Sequence, residues 1–361
     1  MARTHVIEPT WNPGRFKFTA AHTTALSIQR TPKQDAKAAA GAFEAGGEQV
    51  YTEAMKRSKT NPKGVPAVLA GKNVTVLGAG KVGGAVASLL KHAGIRITAM
   101  TTRRGEPVSS TEARTGTPTT TDNAAAARAS DIVFVTTNDE SIADVVDVVA
   151  AEGGFRPGQL VVHMSGALSL SALAPAQKEG ALIGCIHPLQ SFALVEGAQE
   201  RMRGSVFGLT SGSPEAGTLL KALVEALGGS FVEVADEDKP LYHAAAVLAS
   251  NYLVAIEDAA IRLLAQTGLD ERTALRSLLP LARATLDNIE SLGTTAALTG
   301  PIARGDHETV QSHLHALGRL SADELRLYRA LGSCTLALAE RRGDLDDETI
   351  AKLRESLREG S

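Results

Sequence analysis

The stretch Asn73-Val74-Thr75-Val76-Leu77-Gly78-Ala79-Gly80-Lys81-Val82-Gly83 decides the fold. A short β-branched run leads into G-x-G-x-x-G, and a segment of helical periodicity follows as far as His92, closed by Gly94. In a strand–turn–helix setting each glycine has a task. Gly78 makes the tight turn, Gly80 lets the backbone approach a pyrophosphate, and Gly83 lets the helix pack on the strand. The free amides and partial positive charge of the helix start suit a diphosphate. Gly78, Ala79, Gly80, Lys81, Val82 and Gly83 are therefore expected to bind a dinucleotide.

Outward from this turn, strand and helix alternate. Apolar, β-branched runs at 74–77, 95–100, 132–136, 160–163 and 182–186 read as buried parallel strands, and two more follow at 206–210 and 231–234. Helical stretches are expected at 82–92, after Asp122, at 141–149, at 169–177 and at 214–227. The pattern predicts an α/β protein with a doubly wound parallel sheet of Rossmann type. After Asp238 the strands stop, and an all-helical C-terminal domain is expected. It consists of a long helix at 241–266, a second from Asp270 to near Gly293 with Pro280 inside it, and three more at 307–317, 321–342 and 346–358. Residues 1–68 differ from the rest. Ten basic residues against five acids give them +5, leaving −8 for the remainder of a chain whose net charge is −3. Within them only 33–57 reads as a helix. The expected division is an N-terminal extension (1–68), partly disordered, a dinucleotide-binding domain (69–237) and a helical substrate and dimerisation domain (238–361).

The second strand ends in Met100-Thr101-Thr102-Arg103-Arg104, with no acid to hold a free ribose 2′-hydroxyl. Thr102, Arg103 and Arg104 instead suit a 2′-phosphate, which predicts NADP(H) over NAD(H). Past the 132–136 strand, Thr137 and Asn138 are candidates to contact the cofactor, whereas Asp139 reads as a helix cap.

Composition removes other classes. A length of 361 residues allows two domains, the near-neutral charge and 4 % aromatic content give no nucleic-acid surface, and two cysteines build no disulfide framework or thiolate cluster. The most apolar run, 244–256, is interrupted by Ser250 and Asn251 and is short for a membrane span. With no apolar h-region at the start, a soluble, cytoplasmic protein without a membrane or nucleic-acid partner is expected.

Four further motifs occur in order: His163-Met164-Ser165-Gly166-Ala167-Leu168, Ile186-His187-Pro188-Leu189-Gln190-Ser191-Phe192, Tyr242-His243-Ala244-Ala245-Ala246 with Ala249-Ser250-Asn251, and Leu298-Thr299-Gly300-Pro301 with Arg304-Gly305-Asp306. Over roughly 70–345 the chain resembles a bacterial family of Rossmann-like predicted oxidoreductases whose C-terminal part is known only as a domain of unknown function. That family is similar in architecture to ketopantoate reductase, pyrroline-5-carboxylate reductase and the 6-phosphogluconate dehydrogenase group. The resemblance implies NADPH-dependent reduction of a small molecule and a homodimer. In ketopantoate reductases a lysine and two asparagines recur four residues apart at the start of the long helix. The matching positions here are His243, Val247 and Asn251, which depart from the pattern at the first two.

Hydride reduction of a carbonyl needs a proton donor near the oxygen. Histidine titrates near neutrality and fits the role. His243 is the first candidate and His187 the second, with Asn251, Ser165 and Gln190 orienting the carbonyl or a carboxylate. Arg304 is a candidate for a substrate carboxylate, and Asp306 a helix cap. His163 reads as donor to a loop carbonyl. Ser165 lacks the glycine of a nucleophile elbow, His313 and His315 face different sides of their helix so no metal site is expected, and Cys185 reads as inert core. The expected function is reduction of a small 2-oxo acid, with ketopantoate foremost, or of a cyclic imino acid. The alternative is an NADP(H)-binding regulatory or scaffold protein without turnover.

Overall fold

The computed structural model describes residues 65–103 and 115–358. Arg104, the expected helix at 33–57 and all but the last four residues of the expected 1–68 extension lie outside the described residues. The chain divides into two compact units, 1–250 and 251–361.

The first unit is a sheet with helices on both faces. In chain order it runs β1 (Asn73–Leu77), α1 (Lys81–His92), β2 (Arg96–Thr101), β3 (Thr119–Thr120), α2 (Asn123–Arg128), β4 (Ile132–Val135), α3 (Asp139–Ala151), β5 (Leu160–His163), α4 (Ala174–Lys178), β6 (Leu182–Pro188), α5 (Ala198–Met202), β7 (Val206–Ser211), α6 (Pro214–Ala226), β8 (Ser230–Glu233) and α7 (Lys239–Ala249). The sheet order is β3-β2-β1-β4-β5-β6-β7-β8. Every pairing is parallel except β6 with β7, which is antiparallel. The reason is the connection. Residues 189–205 hold only the five-residue α5 and return along the sheet instead of crossing its face as a βαβ unit would.

Alternation along the strands divides the core in two. Val74, Val76, Ile132, Phe134, Leu160 and Val162 pack on one face with Leu89, Leu90, Leu220 and Leu223. Leu77, Val133, Val135 and Val161 pack on the other with Ile142, Val146 and Leu173. The one polar side chain within β1 apart from its first residue, Thr75, is wholly buried and paid its due by Ser130 Oγ at 2.6 Å and the Ala126 carbonyl at 2.9 Å.

The second unit is helical: α8 (Asn251–Ala265), α9 (Glu271–Ala297), α10 (His307–Gly318), α11 (Ala322–Arg342) and α12 (Asp347–Ser356). Its starts are capped as the sequence predicts, by Asp270, Asp306, Ser321 and Asp346. Ile302, Val310, Leu314, Leu336, Leu353 and Leu357 form its core. Two expected helices differ. The one at 241–266 is interrupted at Ser250 (φ −125°, ψ −64°), and the one opened by Asp270 loses helical geometry at Gly293 (φ 74°, ψ 167°) before continuing to Ala297.

The stretch Asp236–Ala265 is, by length and composition, apolar enough to cross a membrane, with a mean hydropathy of 1.4 over its best window, 6 % of which is buried. The apolar run is thus longer than the 244–256 read from the sequence, and its helix is interrupted at Ser250. Its N-terminal part is nevertheless anchored in the first unit, where Lys239 is 1 % exposed and Tyr242 reaches the sheet.

Candidate active site

The parallel strands β1, β2, β4, β5 and β6 bring their carboxyl ends to one edge of the sheet, and the first group of candidates gathers at β1, β2 and β4. Gly78 has φ +108°, a left-handed conformation that suits glycine. A Cβ on Gly83 would lie 2.1 Å from the Gly78 carbonyl oxygen, so helix and turn touch here through backbone alone. At Gly80, by contrast, a Cβ would meet nothing within 4 Å. The turn is held by Ala79 N–H donating to the Thr101 carbonyl (2.8 Å) and by Thr136 Oγ1 donating to the Gly78 carbonyl (2.7 Å).

Beside it, Thr102 Oγ1 and Thr137 Oγ1 are buried with no hydrogen-bond partner among the described residues. Buried hydroxyls are ordinarily paired, and an unpaired one costs roughly 1–3 kcal/mol. Two of them next to an open glycine turn are what a bound dinucleotide would satisfy, so the residues present fit such a cofactor. Lys81 Nζ is engaged with the Ala193 carbonyl at 2.6 Å, and Val82 lies in the first turn of α1. Arg103 is exposed at the end of β2, its Nη2 3.3 Å from Ser141 Oγ. Asn138 is the exposed N-cap of α3, and its side chain makes no cap hydrogen bond.

The second group lies at β5, β6 and α7. Here Gly166 is enclosed: a Cβ on it would stand 2.7 Å from His243 Nδ1 and 2.9 Å from His187 Nε2. The two imidazoles meet edge to face with centroids 6.0 Å apart. His187 Nδ1 contacts Tyr242 Oη at 2.9 Å, and His243 Nδ1 is buried without a partner. Burial, with His243 and Lys239 adding positive charge nearby, pushes His187 down to about 4, so its ring is neutral at pH 7.

His163, fully buried, is pushed down to about 3, chiefly by burial and then by Lys239. Its Nδ1 accepts from Ser165 N–H at 3.2 Å, which puts the proton of the neutral ring on Nε2. That nitrogen has no partner, so the expected hydrogen bond from His163 to a loop carbonyl is not formed.

Several expectations change. Ser165 Oγ donates to Asp139 Oδ2 at 2.6 Å and accepts from the amides of Ala167 and Leu168, so its hydroxyl fixes the loop and is not free to orient a substrate. Asp139 in turn ties α3 to that loop; the N-cap position belongs to Asn138. Gln190 donates to the Arg201 carbonyl on α5 (3.3 Å) and accepts from Ser191 N–H (2.9 Å), bonds local to the β6–β7 connection. Asn251 is the exposed first residue of α8. The break at Ser250 removes the continuous helix on which its common face with His243 rests. Arg304 is exposed at the end of a short 3-10 turn, Ile302–Arg304, and Asp306 caps α10 as expected. Cys185 is inert core as expected, with burial raising its thiol to about 11.

Lys239 was not among the expected residues. Its Nζ donates to the Ser165 carbonyl (3.0 Å) and lies 3.2 Å from Cys185 Sγ, beneath the loop that carries Gly166. The signal available was its place four residues before His243, which extends the four-residue series backwards. No group of three or more metal-ligating side chains occurs among the described residues.

No curated protein matches the sequence. Among solved structures, the chain resembles a Bacteroides fragilis protein described as a candidate NADP oxidoreductase (24 % identity, TM-score 0.60, covering 75 % of this chain and 98 % of that one). It also resembles a protein of Thermotoga maritima (26 % identity, TM-score 0.60, 75 % and 99 %). An imine reductase from a Pseudomonas species shares the fold at 19 % identity (TM-score 0.53, 80 % and 99 %). Residues 56–188 match the model of a Rossmann-like domain and residues 205–335 that of DUF2520, a domain of unknown function. The matched segments are a Rossmann-like domain and, C-terminal to it, a domain of the DUF2520 family.

Proposed function

We propose that this protein is an NADPH-dependent oxidoreductase that reduces a small 2-oxo acid or a cyclic imino acid by hydride transfer. The observation that carries this reading is the open turn at Gly80 flanked by the unpaired hydroxyls of Thr102 and Thr137, at the same sheet edge as the histidines on β5 and β6. Two of the solved structures that share the fold are described as an NADP oxidoreductase candidate and an imine reductase, which supports the cofactor and the reaction class. Ketopantoate is the 2-oxo acid favoured by the resemblance of the sequence motifs.

When bound, the nicotinamide supplies the hydride. The chain's own residues do the rest. The amides of 79–83 hold the diphosphate at the start of α1. Arg103 and Arg104 take the 2′-phosphate. Thr137 and Asn138 would contact the cofactor from the end of β4. His243 is the proton donor: its Nδ1 is buried without a partner beside Gly166, which leaves Nε2 of the imidazolium as the nitrogen that gives the proton, the ring returning to its neutral form. His187, held neutral, is an acceptor.

The apolar residues of α7, Leu241 (65 % exposed) and Leu248 (63 %), and those of the second unit such as Val254 (70 %) and Leu281 (66 %), are covered in this reading by a second copy of the chain. Sedimentation at micromolar concentration then gives a dimer; a clean monomer contradicts it. A reducing, cytoplasmic setting fits the two free thiols.

A regulatory or scaffold role without turnover is the second reading. The burial of Lys239, whose Nζ is spent on Ser165 and Cys185, favours it. The deciding experiment titrates NADPH and NADH, then follows NADPH oxidation with a panel of 2-oxo acids and cyclic imines. Tight, NADPH-selective binding with oxidation by one panel member is expected. Equal affinity for both cofactors removes the 2′-phosphate assignment, and tight binding without any oxidation selects the second reading.

A further inference from the structure

Tyr242 Oη sits 2.9 Å from His187 Nδ1 and 3.3 Å from the His187 carbonyl oxygen. A carbonyl oxygen only accepts, and a phenol has one hydrogen to give. Both contacts are hydrogen bonds together in one arrangement alone: Tyr242 O–H donates to the carbonyl, and His187 Nδ1–H donates to Tyr242 Oη. Burial raises the phenol's pKa, which keeps that hydrogen in place.

The arrangement is built into the sheet. His187 is paired with Gly208 across the antiparallel β6–β7 ladder, and a Cβ at Gly208 would lie 2.4 Å from Tyr242 Oη. The phenol enters the space that glycine leaves. With the ring proton on Nδ1, Nε2 carries a lone pair. That nitrogen makes no hydrogen bond among the described residues and is not among their sealed, unpartnered atoms.

We propose that Tyr242 is a positioning residue that fixes His187 as its Nδ1–H tautomer and so makes Nε2 an acceptor for a hydrogen carried by the substrate. The tautomer assignment stands on geometry alone; its consequence for the substrate rests on the proposed reductase function. A carbonyl oxygen set against a lone pair is repelled, whereas the N–H of a protonated cyclic imine is held. The substrate class is therefore the protonated imine rather than the 2-oxo acid. In that reaction the hydride brings two electrons to the imine carbon and the C=N π pair moves to nitrogen. The proton on nitrogen, which His243 gives to a neutral imine before hydride arrives, is retained, the neutral amine leaves, and the cofactor is oxidised by two electrons, with no proton required after the transfer.

The test is nitrogen-15 NMR of the histidine side chains in the full chain, with Tyr242→Phe and, as a second variant that keeps the phenol but displaces it, Gly208→Ala. The intact protein is expected to show His187 as Nδ1–H. Both variants are expected to shift it to the Nε2–H form, with NADPH affinity unchanged and KM for a cyclic imine raised about tenfold, the loss of one hydrogen bond. An Nε2–H His187 in the intact protein, or an unchanged tautomer in Tyr242→Phe, overturns the positioning role. Turnover of 2-oxo acids in preference to imines, with the tautomer as assigned, overturns the substrate class alone. Failure to bind NADPH strikes the parent reading and leaves the tautomer assignment standing.

Discussion

Gly80 and Gly166 stand at the same edge of one sheet, and each is glycine for an opposite reason. Around Gly80 there is nothing within 4 Å of where a side chain would begin; around Gly166 the two imidazoles of His187 and His243 close to within 3 Å. An open glycine leaves room for something the chain does not contain, and a closed one leaves room for the chain's own side chains. The first marks a place to bind a ligand. The second marks a place where two reactive groups are held in one geometry.

The sharpest break of this comparison is a third glycine. Gly83→Ala sets a Cβ against the Gly78 carbonyl, backbone that cannot yield cheaply, and is expected to cost roughly 1–3 kcal/mol or more of stability together with NADPH binding. A thermal melt and a fluorescence titration check it.

Acid sharpens the contrast next, because both depressed histidines belong to the closed end. Their folded pKa values, about 3 for His163 and about 4 for His187, lie below the usual 6.5, so the unfolded chain takes up protons that the folded one refuses. Their contribution is complete above pH 6.5 and is lost as pH falls towards 3, at about 1.4 kcal/mol per pKa unit. Denaturant midpoints between pH 7 and 4 are expected to fall, and to fall less in His163→Asn. An identical slope in the variant contradicts the buried neutral histidine.

The two glycines themselves separate by substitution. Gly166→Ala displaces His187 and His243, and is expected to lower kcat more than tenfold while the Kd for NADPH stays put. Gly80→Ala meets no atom and has an ordinary φ of −78°, so the melting temperature is expected to hold while NADPH affinity drops about tenfold, the backbone no longer reaching the diphosphate. Equal effects on binding and turnover in both variants would erase the distinction.

How much of this was legible before any coordinates follows the same division. The open end was readable because its signal is local: strand, glycine turn and helix are consecutive, and Thr102 and Thr137 lie within two residues of the ends of their strands. The closed end was readable only in part. His187 and His243 were visible as candidates, but not that Gly166 lies between them, because that contact joins three elements far apart in sequence. Ser165 looked free, since nothing near it in sequence names Asp139 as its acceptor. Lys239 carried no signal beyond its place four residues before His243, and its burial depends on the loop above it. The Ser250 break hides in an apolar, alanine-rich run with helical periodicity on both sides. The antiparallel β7 follows from a connection whose path periodicity does not reveal.

The most direct test of the central claim, that one end binds the cofactor and the other performs the chemistry, is steady-state turnover measured with NADPH affinity in His243→Ala. The expected result is a kcat lower by about a hundredfold, the usual weight of a positioned proton donor, with the Kd for NADPH unchanged. Full turnover in both His243→Ala and His187→Ala would contradict it.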